Sequence, residues 1–315
     1  MLLGLQLRAY YPGAHGNHFD TTLAVVRACE RAGLDSIWAA DHVVFATDHP
    51  MVRDERHPGE QLPLLEAFVL LGAIAASTTR IRIGQLVTGV PYRSPALLAK
   101  MCATLDVASH GRSIVGLGAG WHEPEFAAYG WPFPSVRERL EMLEEAVQIV
   151  HLLLTRQPAT FLGKHYTIRD AYNHPPPVQR PRPPIMIGGS GERVTLRLVA
   201  RYADMCNLFG DPATVARRFD VLRRHCAAIG RPFEAIIRST FASILVARDE
   251  AELAAKRARF PDFRGIIGTP DEVIAGLKAY AEVGSQYVTF HMPDAADIEP
   301  LLLLGETVVP AVAGL

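Results

Sequence analysis

His42 follows directly on Asp41 in the segment GLDSIWAADHVVF, and a histidine beside a carboxylate at the end of a strand pattern is the best-placed acid or base in the chain. Three further segments place glycine or polar residues at comparable positions. Gln85-Leu86-Val87-Thr88-Gly89 ends a β-rich run, Gly118-Ala119-Gly120-Trp121-His122 follows another, and Gly188-Gly189-Ser190-Gly191 separates a strand pattern from a helix pattern. Glycines before a helix leave backbone amides unobstructed, which makes a cradle for a phosphate; the same glycines also suit a tight turn with positive φ. The turn lacks the GxGxxG spacing and the later ribose-binding acid of a dinucleotide site, so a mononucleotide-type phosphate suits it better. Gly118 and Gly120 permit close backbone approach. Trp121 offers a flat apolar face to a ring system, or else a cap packed against Trp131 or Phe126.

These residues share a place in the pattern, just after a strand. Strands are predicted at 3–7, 36–40, 81–87, 113–117, 185–187, 205–208, 236–246 and 287–290, with helices between most of them at 20–33, 95–109, 135–154, 192–202, 212–229 and 271–283. Eight strands alternating with helices predict an α/β protein of the TIM (β/α)8-barrel class, one domain over residues 1–315, whose site lies at the C-terminal ends of the strands. Two stretches break the pattern. A loop of about twenty residues from Val43 to Leu62 is long enough for a lid or binding loop and carries His49 and His57 at its tip. The piece from Thr155 to Pro184 reads as an insertion in a βα loop.

A formal net charge of −1 with both signs interspersed argues against nucleic acid or an anionic membrane as partner and leaves a small molecule. The N-terminus has neither a basic region nor an apolar run long enough for a signal or a spanning helix, and Cys29, Cys102, Cys206 and Cys226 lack paired spacing, so buried thiols, no metal and a cytoplasmic location are expected. The predicted helix 64–76, LLEAFVLLGAIAA, has Glu66 as its only charge. An outer barrel helix needs a polar face, so a homodimer burying this one is expected.

At these same residues the chain resembles the bacterial luciferase-like monooxygenase superfamily, and within it the branch of oxidoreductases that use the deazaflavin coenzyme F-420. The resemblance is carried by GLDSIWAADHVVF, RIRIGQLVTGVPYRSPALLAK, GRSIVGLGAGWHEPEFAAYG, RERLEMLEEAVQIV and PIMIGGSGERVTLRLVARYADMCN, which together span most of the chain. It implies a luciferase-like barrel with the cofactor ring over its mouth and the phosphate on Gly188 to Gly191. His42 would have acid/base or substrate-orienting duty, Asp41 a cofactor contact. Gln85, Leu86, Val87 and Thr88 would face the ring, with a non-prolyl cis peptide at Gln85–Leu86 or Leu86–Val87, and Gly118, Gly120 and Trp121 would border it. Arg193, and Arg53 or Arg56 in the long loop, are candidates for the cofactor's acidic tail. The sugar-phosphate dehydrogenases of the branch have a glutamate after the strand-four glycines; Trp121 stands there instead, which argues against a sugar-phosphate substrate. The function implied is hydride transfer between coenzyme F-420 and a small organic substrate, with an FMN-dependent two-component monooxygenase and a non-catalytic flavin-binding barrel as alternatives.

Overall fold

Segments such as Ser36–Ala39 and Ser113–Gly118 are buried at every position, as strands covered on both faces must be. In the computed structural model, which describes residues 1–8, 11, 16–44 and 62–315, eight strands form a parallel barrel surrounded by helices. They are β1 Leu2–Gln6, β2 Ser36–Ala39, β3 Arg82–Gln85, β4 Ser113–Gly118, β5 Ile185–Gly188, β6 Met205–Phe209, β7 Ile237–Val246 and β8 Tyr287–His291. Each pairs with its neighbours in chain order, and β8 returns to β1, with Leu2 opposite Tyr287, so that no barrel edge is left open. His49, Arg53, Arg56 and His57 lie outside the described residues.

The helices begin where side chains can satisfy their first amides. Helix α1, His18–Arg31, starts on Asn17, which accepts from Asp20 N. After it come α2, Ala67–Ser77, and α3, Pro95–Ala108, the latter capped by Ser94 with proline at its first position. A short helix α4, Glu123–Ala128, precedes α5, Val136–Thr155, whose Ser135 and Glu138 form a reciprocal capping box. Helices α6, Thr195–Tyr202, α7, Pro212–Ala228, α8, Glu250–Arg259, and α9, Pro270–Glu282, complete the ring, and a C-terminal helical run, Glu299–Val312, follows with a π-helical stretch in its middle. The short α4, α8 and the C-terminal run were not expected from periodicity. The insertion holds an antiparallel hairpin, Ala159–Leu162 with Thr167–Ala171, separate from the barrel sheet.

The predicted third strand runs differently. It stops at Gln85, the Leu86–Val87 peptide is cis at one of the two positions expected, and pairing with β4 resumes at Thr88–Gly89. Val87 thereby lies between two other strand ends. A Cβ on Gly118 would come within 2.5 Å of one Val87 methyl, and a Cβ on Gly188 within 2.7 Å of the other. On the Cβ side of these glycines the space is thus filled by protein. Gly118→Ala is therefore expected to destabilise the fold by about 1–3 kcal/mol through overpacking, and Val87→Ala in the same chain to recover part of that loss. Urea denaturation of the two single variants and the double variant measures the coupling, and additive losses would show that Val87 and Gly118 do not press on one another.

Candidate active site

The C-terminal strand ends enclose a cavity of about 330 Å³, within the range of small-molecule sites. Of the residues expected in the site, Asp41, His42, Leu86, Val87, Gly118, Gly120, Trp121, Gly188 and Gly189 line it. Gln85, Thr88, Ser190 and Gly191 do not. Gln85 is buried with its Oε1 3.5 Å from the Gly116 amide, Thr88 is fully buried in the short pairing with β4, and the Ser190 hydroxyl accepts from Phe209 N. Gly191 lies against Thr195, where an added Cβ would meet the threonine Oγ1 at 2.8 Å. The expected helix at 192 opens instead at Thr195, after a turn over 192–194, so Gly188, Gly189 and Thr195 are the part of this glycine turn that borders the cavity.

His42 is held from behind by Glu125, a residue of α4 with no solvent exposure. Glu125 Oε2 lies 2.9 Å from His42 Nδ1 and accepts from the Tyr92 hydroxyl, which is itself 3.3 Å from the same ring nitrogen. Glu125 Oε1 accepts from the backbone amides of Val43 and Val44. Burial opposes a charge on this carboxyl, but the donors from His42, Tyr92 and Val43 outweigh it and hold its pKa below the ordinary 4.5. Burial and the neighbouring Glu125 carboxylate push the Tyr92 hydroxyl far up, so it stays protonated.

Asp41 has a separate partner. Both of its oxygens are bound by the Arg93 guanidinium, which also sits over the Phe68 ring with its carbon 5.1 Å from the centroid. This bidentate pair fixes the chain just before His42. Beyond His42, the Trp121 ring stands edge-on to the imidazole with centroids 5.6 Å apart and is half exposed at the mouth. It makes no ring contact with Trp131 or Phe126, which pack with Tyr92 and with each other, so the cap reading does not describe it.

Several lining residues were not singled out from sequence. Asn207 is a buried amide in the otherwise apolar β6; its Nδ2 donates to Ser239 and Thr289, and its Oδ1 has no hydrogen-bond partner among the described residues. A polar residue inside an apolar strand was a readable signal. Phe209 and Phe241 pack together at 5.4 Å between centroids, and Arg8 and His291 also line the cavity. Burial, with Arg8 nearby, pushes His291 down to about 3. All four cysteines are buried and unpaired, and among the described residues no cluster of potential metal ligands occurs and no helix is long and apolar enough to cross a membrane.

Residues 5–265 match the luciferase-like monooxygenase family. An uncharacterized protein of Mycobacterium tuberculosis is 30% identical over 270 residues, covering 83% of this chain and 92% of that one. An F-420-dependent glucose-6-phosphate dehydrogenase of Microbacterium testaceum is 28% identical over 316 residues, covering 89% of this chain and 90% of its own. Among solved structures, an F-420-dependent secondary alcohol dehydrogenase, in complex with an F-420–acetone adduct, superposes with a TM-score of 0.81 at 21% identity over 99% of this chain and 98% of that chain.

The lowered Glu125 carboxyl has a consequence for acid stability. It binds a proton less readily folded than unfolded, so its contribution is complete above about pH 4.5 and is lost as the pH falls through the lower folded value. Between about pH 6 and about pH 3 the protein is expected to lose more thermal stability than its Glu125→Gln variant, which has no such proton to take up. Parallel acid melting profiles for the two chains would contradict this.

Proposed function

The chain belongs to the luciferase-like monooxygenase family, and on that premise we propose that it is an oxidoreductase transferring a hydride between coenzyme F-420 and a small organic substrate. The observation that carries this reading is the pairing, across one cavity at the strand ends, of a histidine held by a buried carboxylate with a glycine turn at a helix start. The names of relatives support the cofactor, since one of them is an F-420-dependent dehydrogenase.

The residues present fit a flat ring bearing a phosphate. Leu86, Val87, Trp121, Phe209 and Phe241 provide apolar walls, and the unpartnered Oδ1 of Asn207 offers an acceptor to a donor on a ring edge. Gly188, Gly189 and Thr195 would take the phosphate, and the exposed Arg193 beside that turn the acidic tail. Asp41, Gly118 and Gly120 would border the ring, while Gln85, Thr88, Ser190 and Gly191 support the strand ends that do so. When bound, the deazaflavin supplies two-electron hydride chemistry without the oxygen reactivity of FMN. His42 moves or orients the accompanying proton, and Trp121 excludes water beside it. Trp121 in the place of a glutamate favours a substrate other than a sugar phosphate. Unpaired thiols suit a cytoplasmic protein.

Titrating the purified protein with each cofactor tests the reading. Coenzyme F-420 is expected to bind at micromolar or lower concentration, FMN more weakly, and the affinity for F-420 to fall as added salt screens its tail. Tight FMN binding with no measurable F-420 binding at low ionic strength would instead favour an FMN-dependent monooxygenase.

The same reading includes a homodimer. Helix α2 contains no charged residue, and its outward Val69 is 75% exposed. Light scattering at micromolar concentration is expected to give twice the chain mass, and Val69→Glu to reduce it; a monomeric mass for the unaltered protein would exclude this contact.

A further inference from the structure

The groups around Glu125 fix which ring nitrogen carries the hydrogen when His42 is in its neutral form. Its Oε1 faces the Val43 and Val44 amides, which are backbone groups and cannot exchange donor for acceptor. Its Oε2 meets the Tyr92 hydroxyl and His42 Nδ1. Tyr92 spends its one proton on this oxygen, and burial keeps that proton in place. An ionised carboxylate has no proton to give, so the 2.9 Å contact to His42 requires a hydrogen on Nδ1.

We propose that Glu125 is the positioning residue of this site: it holds the neutral form of His42 in the Nδ1–H tautomer and so makes Nε2 of that form a proton acceptor. A ring in that state takes a proton from a substrate hydroxyl and has none to give from Nε2. The catalytic consequence rests on His42 being the group that moves the proton, as in the function proposed above; the tautomer itself does not. The arrangement follows the logic by which a buried acid orients a catalytic imidazole, with no proton transfer to the acid.

The isosteric amide gives the sharpest contrast. In Glu125→Gln the two backbone amides of Val43 and Val44 would still demand the side-chain oxygen, which places the NH2 group against His42 Nδ1. That group donates, so the neutral imidazole must carry its hydrogen on Nε2 instead.

Long-range proton–nitrogen spectra of the ligand-free protein with labelled histidine, above neutral pH, read the tautomer directly, and loss of one set of signals in His42→Asn identifies the residue. The unaltered protein is expected to show Nδ1–H, Tyr92→Phe to keep it, and Glu125→Gln to exchange the shifts of the two ring nitrogens. An Nε2–H tautomer in the unaltered protein, or an unchanged Nδ1–H in Glu125→Gln, would overturn the proposal. If Glu125→Gln does not fold, the unaltered protein and Tyr92→Phe still decide it. A merely structural Glu125 would shift the melting temperature and leave the tautomer alone. Because the spectra need no cofactor, a failure of F-420 to bind appears separately, in the titration.

Discussion

Glu125 bears a negative charge where no solvent reaches it, and the carboxylate and its four donors come from three separate pieces of chain. An ionised carboxylate taken out of water costs several kcal/mol unless its lone pairs are met. Here His42, Val43 and Val44 come from the end of the second strand, Tyr92 from the 3-10 turn Val90–Tyr92 after the third, and the carboxylate itself from the short helix after the fourth. The charge is tolerated only while all three are in register. One buried group thus couples three successive βα connections at the barrel mouth, and the imidazole is one of the groups it fixes.

The rest of the mouth follows from that constraint and from a second, steric one. Val87 fills the space that side chains at Gly118 and Gly188 would need, which ties the ends of the third, fourth and fifth strands together by contact. The polar wall around His42 and the apolar wall around Val87 therefore rest on different physics. Charge and hydrogen bonding hold the first, close packing the second. A flat ligand between them would meet a surface already set on both sides, which lowers the ordering that binding must impose.

The barrel was legible in the sequence because each strand is a short apolar run and each helix a longer periodic one, a pattern that burial enforces. Helix starts such as Ser135-x-x-Glu138 were readable for the same local reason. The C-terminal run was not, since Gly305 and Pro310 interrupt its periodicity and a π-helical stretch carries it past the first of them. Within the site, residues at strand ends could be picked out by position alone. Glu125 could not: it lies among Glu123, Pro124 and Phe126 at the start of a six-residue helix, where acidic residues are ordinary, and only the fold brings it to His42, 83 positions earlier.

The pairing of Asp41 with His42 in the sequence shows where local reading fails and why. Adjacent residues in extended chain direct their side chains to opposite faces, so a carboxylate next to a histidine is poorly placed to orient it. The structure divides the two accordingly. Asp41 binds Arg93, 52 positions away, and His42 binds Glu125, so that neighbouring residues are anchored to different partners. Both anchors act on the segment that follows the second strand. With its backbone held on one side by an ion pair and its ring on the other by a hydrogen bond, His42 has little rotational freedom left at the edge of the cavity. A proton-handling group needs that restraint, because its acceptor nitrogen must meet the ligand at hydrogen-bond distance and the ring must not turn away as the proton moves.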